Sequence, residues 1–253
     1  MNISTWFFNN ANNQEIPYMI QSPKDYMSNV GILFTWWWSG DKITDYDRKK
    51  DRWSFFSESI VGEWYNIMRF QWWNSKEEFH DMNLADMHQN IKQCVDILSE
   101  KCGRIILVWK SAGWAATITY LSTDDRIEWA VVWAPPIEVS GNARDIDETI
   151  SLPFHNMRTQ QEWYKEAVRV LITPEYLKKI QVPVWIVHAY DDNVVPLQNS
   201  LDTVQFLSDE SKVMILDTWG HSYKDKQSNV WVSIDTHRFI DQDILGTRGW
   251  RRF

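Results

Sequence analysis

The chain has 253 residues, 44% of them hydrophobic and 24% charged, with 34 acidic against 26 basic side chains for a net charge of −8. That is the size and composition of one globular domain with a continuous core. The acidic balance argues against a nucleic-acid partner, which would want a basic face, and no apolar run nears the roughly 18 residues of a membrane span. Residues Met1 to Asn13 hold Trp6, Phe7 and Phe8 but no basic start and no leader-length apolar stretch. The two cysteines, Cys94 and Cys102, read as reduced thiols rather than a disulfide. Both features set the expectation of a cytoplasmic protein.

Trp6–Phe8 and Ile16–Ile20 flank the turn-rich Asn9-Asn10-Ala11-Asn12-Asn13 and predict a hairpin. Val30–Thr35 predicts a buried strand, and after a polar stretch from Ser39 to Arg52 a helix is expected around Phe55–Gly62. Tyr65–Phe70 reads as a strand. Met82–Lys101 carries Leu84, Met87, Ile91, Cys94, Val95 and Leu98 at spacings of three or four, an amphipathic helix. Arg104–Val108 is β-branched and strand-like and runs through Trp109 to Gly113 into a helix-like Ala115–Leu121. Further strands are expected at Glu128–Ala134, Pro183–His188 and Val213–Leu216, with a last helix near Val230–Leu245. Alternating strands and helices predict an α/β protein, a mostly parallel sheet covered on both faces. Residues 137–181 are longer than one crossover needs, with helical pieces at Gln160–Leu171 and Pro174–Lys179. They read as a cap over the strand ends, or equally as a crossover helix with a long loop, within a single 1–253 domain.

Ser111 stands at the strand-to-helix junction in Trp109-Lys110-Ser111-Ala112-Gly113, the pattern G-x-S-x-G with Trp in place of the first Gly. A sharp turn there lifts a hydroxyl clear of the backbone, and the helix N-terminus behind it favours negative charge. A serine nucleophile needs a base. Val187-His188-Ala189-Tyr190-Asp191-Asp192-Asn193-Val194-Val195-Pro196 follows one strand, and Leu216-Asp217-Thr218-Trp219-Gly220-His221-Ser222 follows the next. The order is Ser, Asp, His, with Ser111 first, Asp191 or Asp192 next and His221 last, each after a strand. His80 and His88 lie eight apart with no third ligand and read as surface residues, so no metal site is expected. His155, His188 and His237 have no partner that the sequence names. No phosphate-binding glycine pattern is present, and no cofactor is expected.

In these segments the sequence resembles the α/β-hydrolase superfamily over nearly its whole length, and most of all its serine esterase, lipase and aminopeptidase-like branch. Asp192-Asn193-Val194-Val195-Pro196 resembles D-x-x-V-P, with Asp191 the alternative acid, and Gly220-His221-Ser222 resembles G-H-S. Leu33 to Gly40 stands where relatives carry H-G-x-x-G, with Thr35 replacing the His. Glu63-Trp64-Tyr65-Asn66 resembles E-G-Y-N, Arg69 to Ser75 resembles R-F-D-x-x-G-x-S, and Arg126 to Val132 resembles a strand entered through Gly. The resemblance implies a serine hydrolase of a small-molecule carboxylic ester or similar acyl compound. His221 would be the general base, Asp192 its orienting acid, and the backbone N–H groups of Ala112 and Trp37 the oxyanion donors. A peptidase or an acyltransferase could run on the same three residues. A non-catalytic binding protein of the same fold is the competing class. The oligomeric state is not legible.

Tryptophan is abundant at 17 and glycine scarce at 9 of 253 residues, about half its usual share of ~7%. Trp36, Trp64, Trp109, Trp114 and Trp129 fall where the resembled family usually has Gly, and Trp38, Trp219 and one of Trp72 and Trp73 extend the set. Eight glycines at those positions would restore the ordinary share. Eight overpacked sites at about 1–3 kcal/mol each would be as large as a whole ordinary stability of about 5–15 kcal/mol. The expectation is a UGA codon read as Trp in a lineage that reads it as Gly, so that Trp109 and Trp114 do not disable the elbow of the encoded protein. A Trp-rich natural variant, or an aromatic cleft at Trp36–Trp38, is the alternative. The coding sequence decides: UGA is expected at codons 109, 114 and 129, and TGG there would remove the idea.

Overall fold

The first two strands, β1 (Asn2–Asn9) and β2 (Glu15–Ser22), form the expected hairpin, antiparallel from Asn2 opposite Ser22 to Asn9 opposite Glu15. Its turn is built by Asn10, whose Oδ1 accepts the backbone N–H groups of Asn12 (3.0 Å) and Gln14 (2.9 Å). Asn13 takes the left-handed conformation that Asn tolerates, at φ 57°. The structure is a computed structural model and describes residues 2–10, 12–24, 28–35, 65–70, 84–110, 114–139, 170–217, 220–221, 235–244 and 246. The helix expected at 55–62 and most of the 137–181 segment lie outside them.

Strands β3 (Val30–Thr35), β4 (Asn66–Phe70), β5 (Arg104–Lys110), β6 (Ile127–Trp133), β9 (Val184–Ala189) and β10 (Lys212–Leu216) join the hairpin in one eight-stranded sheet, ordered β1-β2-β4-β3-β5-β6-β9-β10. From β4 through β10 every neighbouring pair is parallel; β1 and β2 are the antiparallel margin. The central strands are near-continuous apolar runs because both of their faces are covered. Leu33 and Leu107 face one core with the helix α1 (Leu84–Ser99), while Ile32, Phe34, Ile106 and Val108 face a second core containing Phe239 and Ile240 from the last helix. Gly31 matters for the first: a Cβ there would stand 3.2 Å from Cys102 Sγ and 3.3 Å from Leu98 Cδ2, so its absence lets the end of α1 settle on the sheet. Cys94 and Cys102 are both buried free thiols.

Helix α2 (Trp114–Leu121) packs beside α1. His88 of α1, expected at the surface, is instead partly buried there, with Nε2 2.6 Å from Thr119 Oγ1 and its ring edge-on to Tyr120. Burial lowers its pKa to about 4, against an opposing contribution from the Ala116 backbone. An unfolded His titrates near ~6.5, so between about 6.5 and about 4 the unfolded chain binds the extra proton and acid weakens the fold, by up to ~1.4 kcal/mol per pH unit. His88→Gln is expected to flatten that part of the stability curve, as read from urea midpoints across the same range.

Three local readings change. Val170 and Leu171, expected at the end of a helix, belong to strand β8 (Val170–Ile172), which pairs in parallel with β7 (Ile137–Val139). A short apolar run has no period of its own, and pairing decides its state. Ile137 and Ile172 are buried in the first core, so this pair ties the chain on either side of residues 140–169 to the body. Helix α3 (Pro174–Leu177) follows as expected, capped by Thr173 and fastened to α2 through Tyr176 Oη donating to Thr119 O at 2.9 Å. Helix α4 (Leu197–Val204), which the sequence reading left unassigned, is short and polar and starts after Pro196. The last helix is α-helical at 235–239 and closes as a π-helical turn at Ile240–Ile244. Among the described residues no helix is long and apolar enough to cross a membrane.

Candidate active site

Because β5, β6, β9 and β10 run parallel, their C-terminal ends lie at one edge of the sheet. The chain leaves β5 at Lys110 and enters α2 at Trp114, so only residues 111–113 connect strand to helix. Ser111 and Ala112, and with them Trp37, lie outside the described residues. The two other predicted groups are described, and the structure brings them together.

Asp192 follows β9. Its Oδ1 accepts the backbone N–H groups of Val194 and Val195, each at 2.9 Å, the turn that Asp makes with residues two and three ahead of it. His221 follows β10. Its Nδ1 lies 2.8 Å from Asp192 Oδ2, and the two side chains are 8% and 0% exposed. A carboxylate only accepts, so Nδ1 carries the hydrogen and Nε2, on the far side of the ring, is left as the basic nitrogen. Tyr190 N donates to Leu216 O at 2.7 Å and locks the two strand ends side by side.

The adjacent acids divide the work. Asp191, the alternative acid, accepts the backbone N–H of Gly220 at 2.7 Å, while Asp192 alone meets the imidazole. Gly220 sits at φ 58°, a conformation that glycine adopts freely, and the turn carries the next residue, His221, back over β9. Burial by itself would raise the Asp192 carboxyl. Hydrogen bonds from His188, His221 and the Val195 N–H outweigh it and hold the group well below the ordinary carboxylate range. It is therefore a fixed negative charge beside the imidazole.

The same edge holds a strained residue. Ala134, at the end of β6, has φ 48° and donates its N–H to Val187 O of β9 at 2.8 Å, just before Pro135-Pro136. A non-glycine residue in this region costs of order 1–3 kcal/mol and persists where its surroundings hold it. His188 is the site residue that sequence reasoning missed. It is wholly buried and reaches both Ser200 and the Asp192 loop. Its position four residues before the acid is the signal that could have found it.

No family model matches the sequence, and no curated protein does. Solved structures do. The esterase domain of a Rhodothermus marinus protein superposes with a TM-score of 0.66 at 14% identity, over 95% of this chain and 99% of that one. Est1E from Butyrivibrio proteoclasticus superposes at 0.65 with 15% identity over 95% and 99%, and its structure is also known with ferulic acid bound. A serine hydrolase from Cycloclasticus zankles superposes at 0.65 with 12% identity over 96% and 99%. The chain has the α/β-hydrolase fold. In an α/β-hydrolase the nucleophile, acid and base leave this edge of the sheet in that chain order, the first of them at the strand-to-helix turn. In this α/β-hydrolase fold β9 lies two positions from β5, roughly 10 Å at ordinary strand spacing. The loop after β10 crosses from that outer strand to the end of β9 by placing His221 on Asp192.

Trp109 and Trp129, at glycine positions of the resembled family, are accommodated as side chains. Trp109 is fully buried in the first core, and Trp129 packs edge-on against Phe239 at 5.3 Å. Neither Trp109 nor Trp129 has a positive φ, so the backbone at these two positions does not itself require glycine.

Proposed function

We propose that the protein is a serine hydrolase that cleaves a carboxylic ester or similar small acyl compound. Ser111 Oγ attacks the acyl carbon while His221 Nε2 takes its proton. The negative charge gathers on the former carbonyl oxygen, which accepts hydrogen bonds from the backbone N–H groups of Ala112 and Trp37. Collapse expels the alcohol, to which His221 returns the proton, and leaves Ser111 acylated. Water, deprotonated by the same nitrogen, then attacks the ester, and Ser111 departs with its proton restored. Asp192 keeps the proton on Nδ1 and stabilises the imidazolium formed in each half.

The observation that carries this reading is the buried Asp192–His221 pair at 2.8 Å, at the edge where β5 passes into α2 within three residues. Burying an imidazole against an ionised carboxylate adds little to stability, whereas base catalysis needs that arrangement. A fluorophosphonate probe tests it. The chain is expected to take up one probe per molecule, on Ser111, and Ser111→Ala none. Equal labelling of the two would end the hydrolase reading in favour of a binding protein of the same fold.

A further inference from the structure

Two imidazoles, not one, approach the acid. His188, within β9, places Nε2 2.9 Å from Val195 O and 3.4 Å from Asp192 Oδ2. Its Nδ1 is 2.6 Å from Ser200 Oγ on α4, and His188 and Ser200 are both fully buried. The protonation pattern follows from the partners. Val195 O and Asp192 Oδ2 only accept, so Nε2 carries the hydrogen. In the neutral ring Nδ1 then accepts the Ser200 hydroxyl. With the other tautomer the Nε2 lone pair would face two acceptors, and Ser200 would lose its place as donor.

We propose that His188 is a positioning residue for hydrolysis, held in the Nε2–H tautomer by Ser200, and that it keeps the Asp192 carboxylate turned toward His221. This rests on His221 being the base. The turn N–H groups of Val194 and Val195 hold Oδ1 alone. A carboxylate anchored at one oxygen can still swing about its last torsion, which has broad wells. His188 acts from beneath on the other oxygen, and through Val195 O on the residue whose N–H binds Oδ1. Val195 is thereby gripped at both its donor and its acceptor, and the loop 191–196 has one seat. Ser200, His188 and Asp192 repeat the residue types of a nucleophilic triad, but the buried Ser200 hydroxyl cannot meet an acyl group, so the second set supports the first and does not duplicate it.

The test compares His188→Leu, His188→Gln and Ser200→Ala in ester hydrolysis, thermal unfolding and proton NMR of histidine-labelled protein. The readout is the low-field Nδ1–H resonance that His221 shows when bonded to a carboxylate. A misplaced catalytic group can cost about 100-fold. His188→Leu is therefore expected to lower kcat by about 10- to 100-fold with KM within about twofold, and to shift or broaden the resonance. His188→Gln, which restores an N–H near the Nε2 position, is expected to recover most of kcat and the resonance. Ser200→Ala is expected to act in the same direction and more weakly, and it decides the matter with His188→Gln if the leucine variant does not fold. A folded His188→Leu, or Ser200→Ala in its place, with kcat within about twofold and the resonance unmoved overturns the proposal. If the unsubstituted protein turns over no ester, the resonance still reads the positioning: a shift retains His188's role while the hydrolase reading fails, and no shift removes both.

Discussion

Ser111→Ala is expected to lower kcat by about 10⁶-fold while KM changes little. The alanine leaves no atom that can bond to the acyl carbon, so the acyl-enzyme route closes. What remains is water activated by His221 beside donors that still face the oxyanion, worth about 10³ to 10⁴ over the uncatalysed reaction. The junction should tolerate the change, because the connection from β5 to α2 is set by the strand on one side and the helix on the other. Active-site titration with a burst-forming ester measures it. A burst of one equivalent in the unsubstituted protein and none in the variant is the expected pair of results. A variant that keeps a tenth of the activity would place the nucleophile elsewhere.

Asp192→Asn is expected to cost about 10⁴ in kcat with the fold intact. The reason lies in the turn. The N–H groups of Val194 and Val195 donate only to an oxygen opposite them, so the new amide keeps its oxygen there and points its NH₂ group at His221. His221 must then present a lone pair at Nδ1, which moves its hydrogen to Nε2 and removes the base. The same NH₂ group meets the Nε2–H of His188, donor against donor. Asp191→Asn behaves differently. Its amide oxygen can still accept the Gly220 N–H, so kcat is expected to stay within about threefold. Steady-state rates for the two variants, with circular dichroism to show both folded, make the comparison. Equal losses would mean that the acids are interchangeable and the geometry misread.

The adjacent aspartates show where reading the sequence stops. The resemblance to D-x-x-V-P points to the segment 192–196 and to Asp192, but both candidates are carboxylates after the same strand. Only the placement of Gly220 beside one and His221 beside the other separates them. His188 is the same lesson with the sign reversed. In the sequence it is a lone histidine inside a strand, and its partners come from a helix nine to sixteen residues later and from the loop between. The 137–181 segment behaves similarly. The pairing of Ile137–Val139 with Val170–Ile172 joins segments thirty residues apart and leaves no local trace.

What the amino-acid order determined by itself was everything with a short period. Runs such as Val184–Ala189, buried on both faces, and the three-and-four spacing along Leu84–Ser99 specify strand and helix because burying alternate or successive apolar groups needs those geometries. The tertiary structure alone decided which polar groups share a hydrogen. Hydrogen bonds act over about 3 Å, and groups separated by tens of residues come that close only when parallel strands end at a common edge.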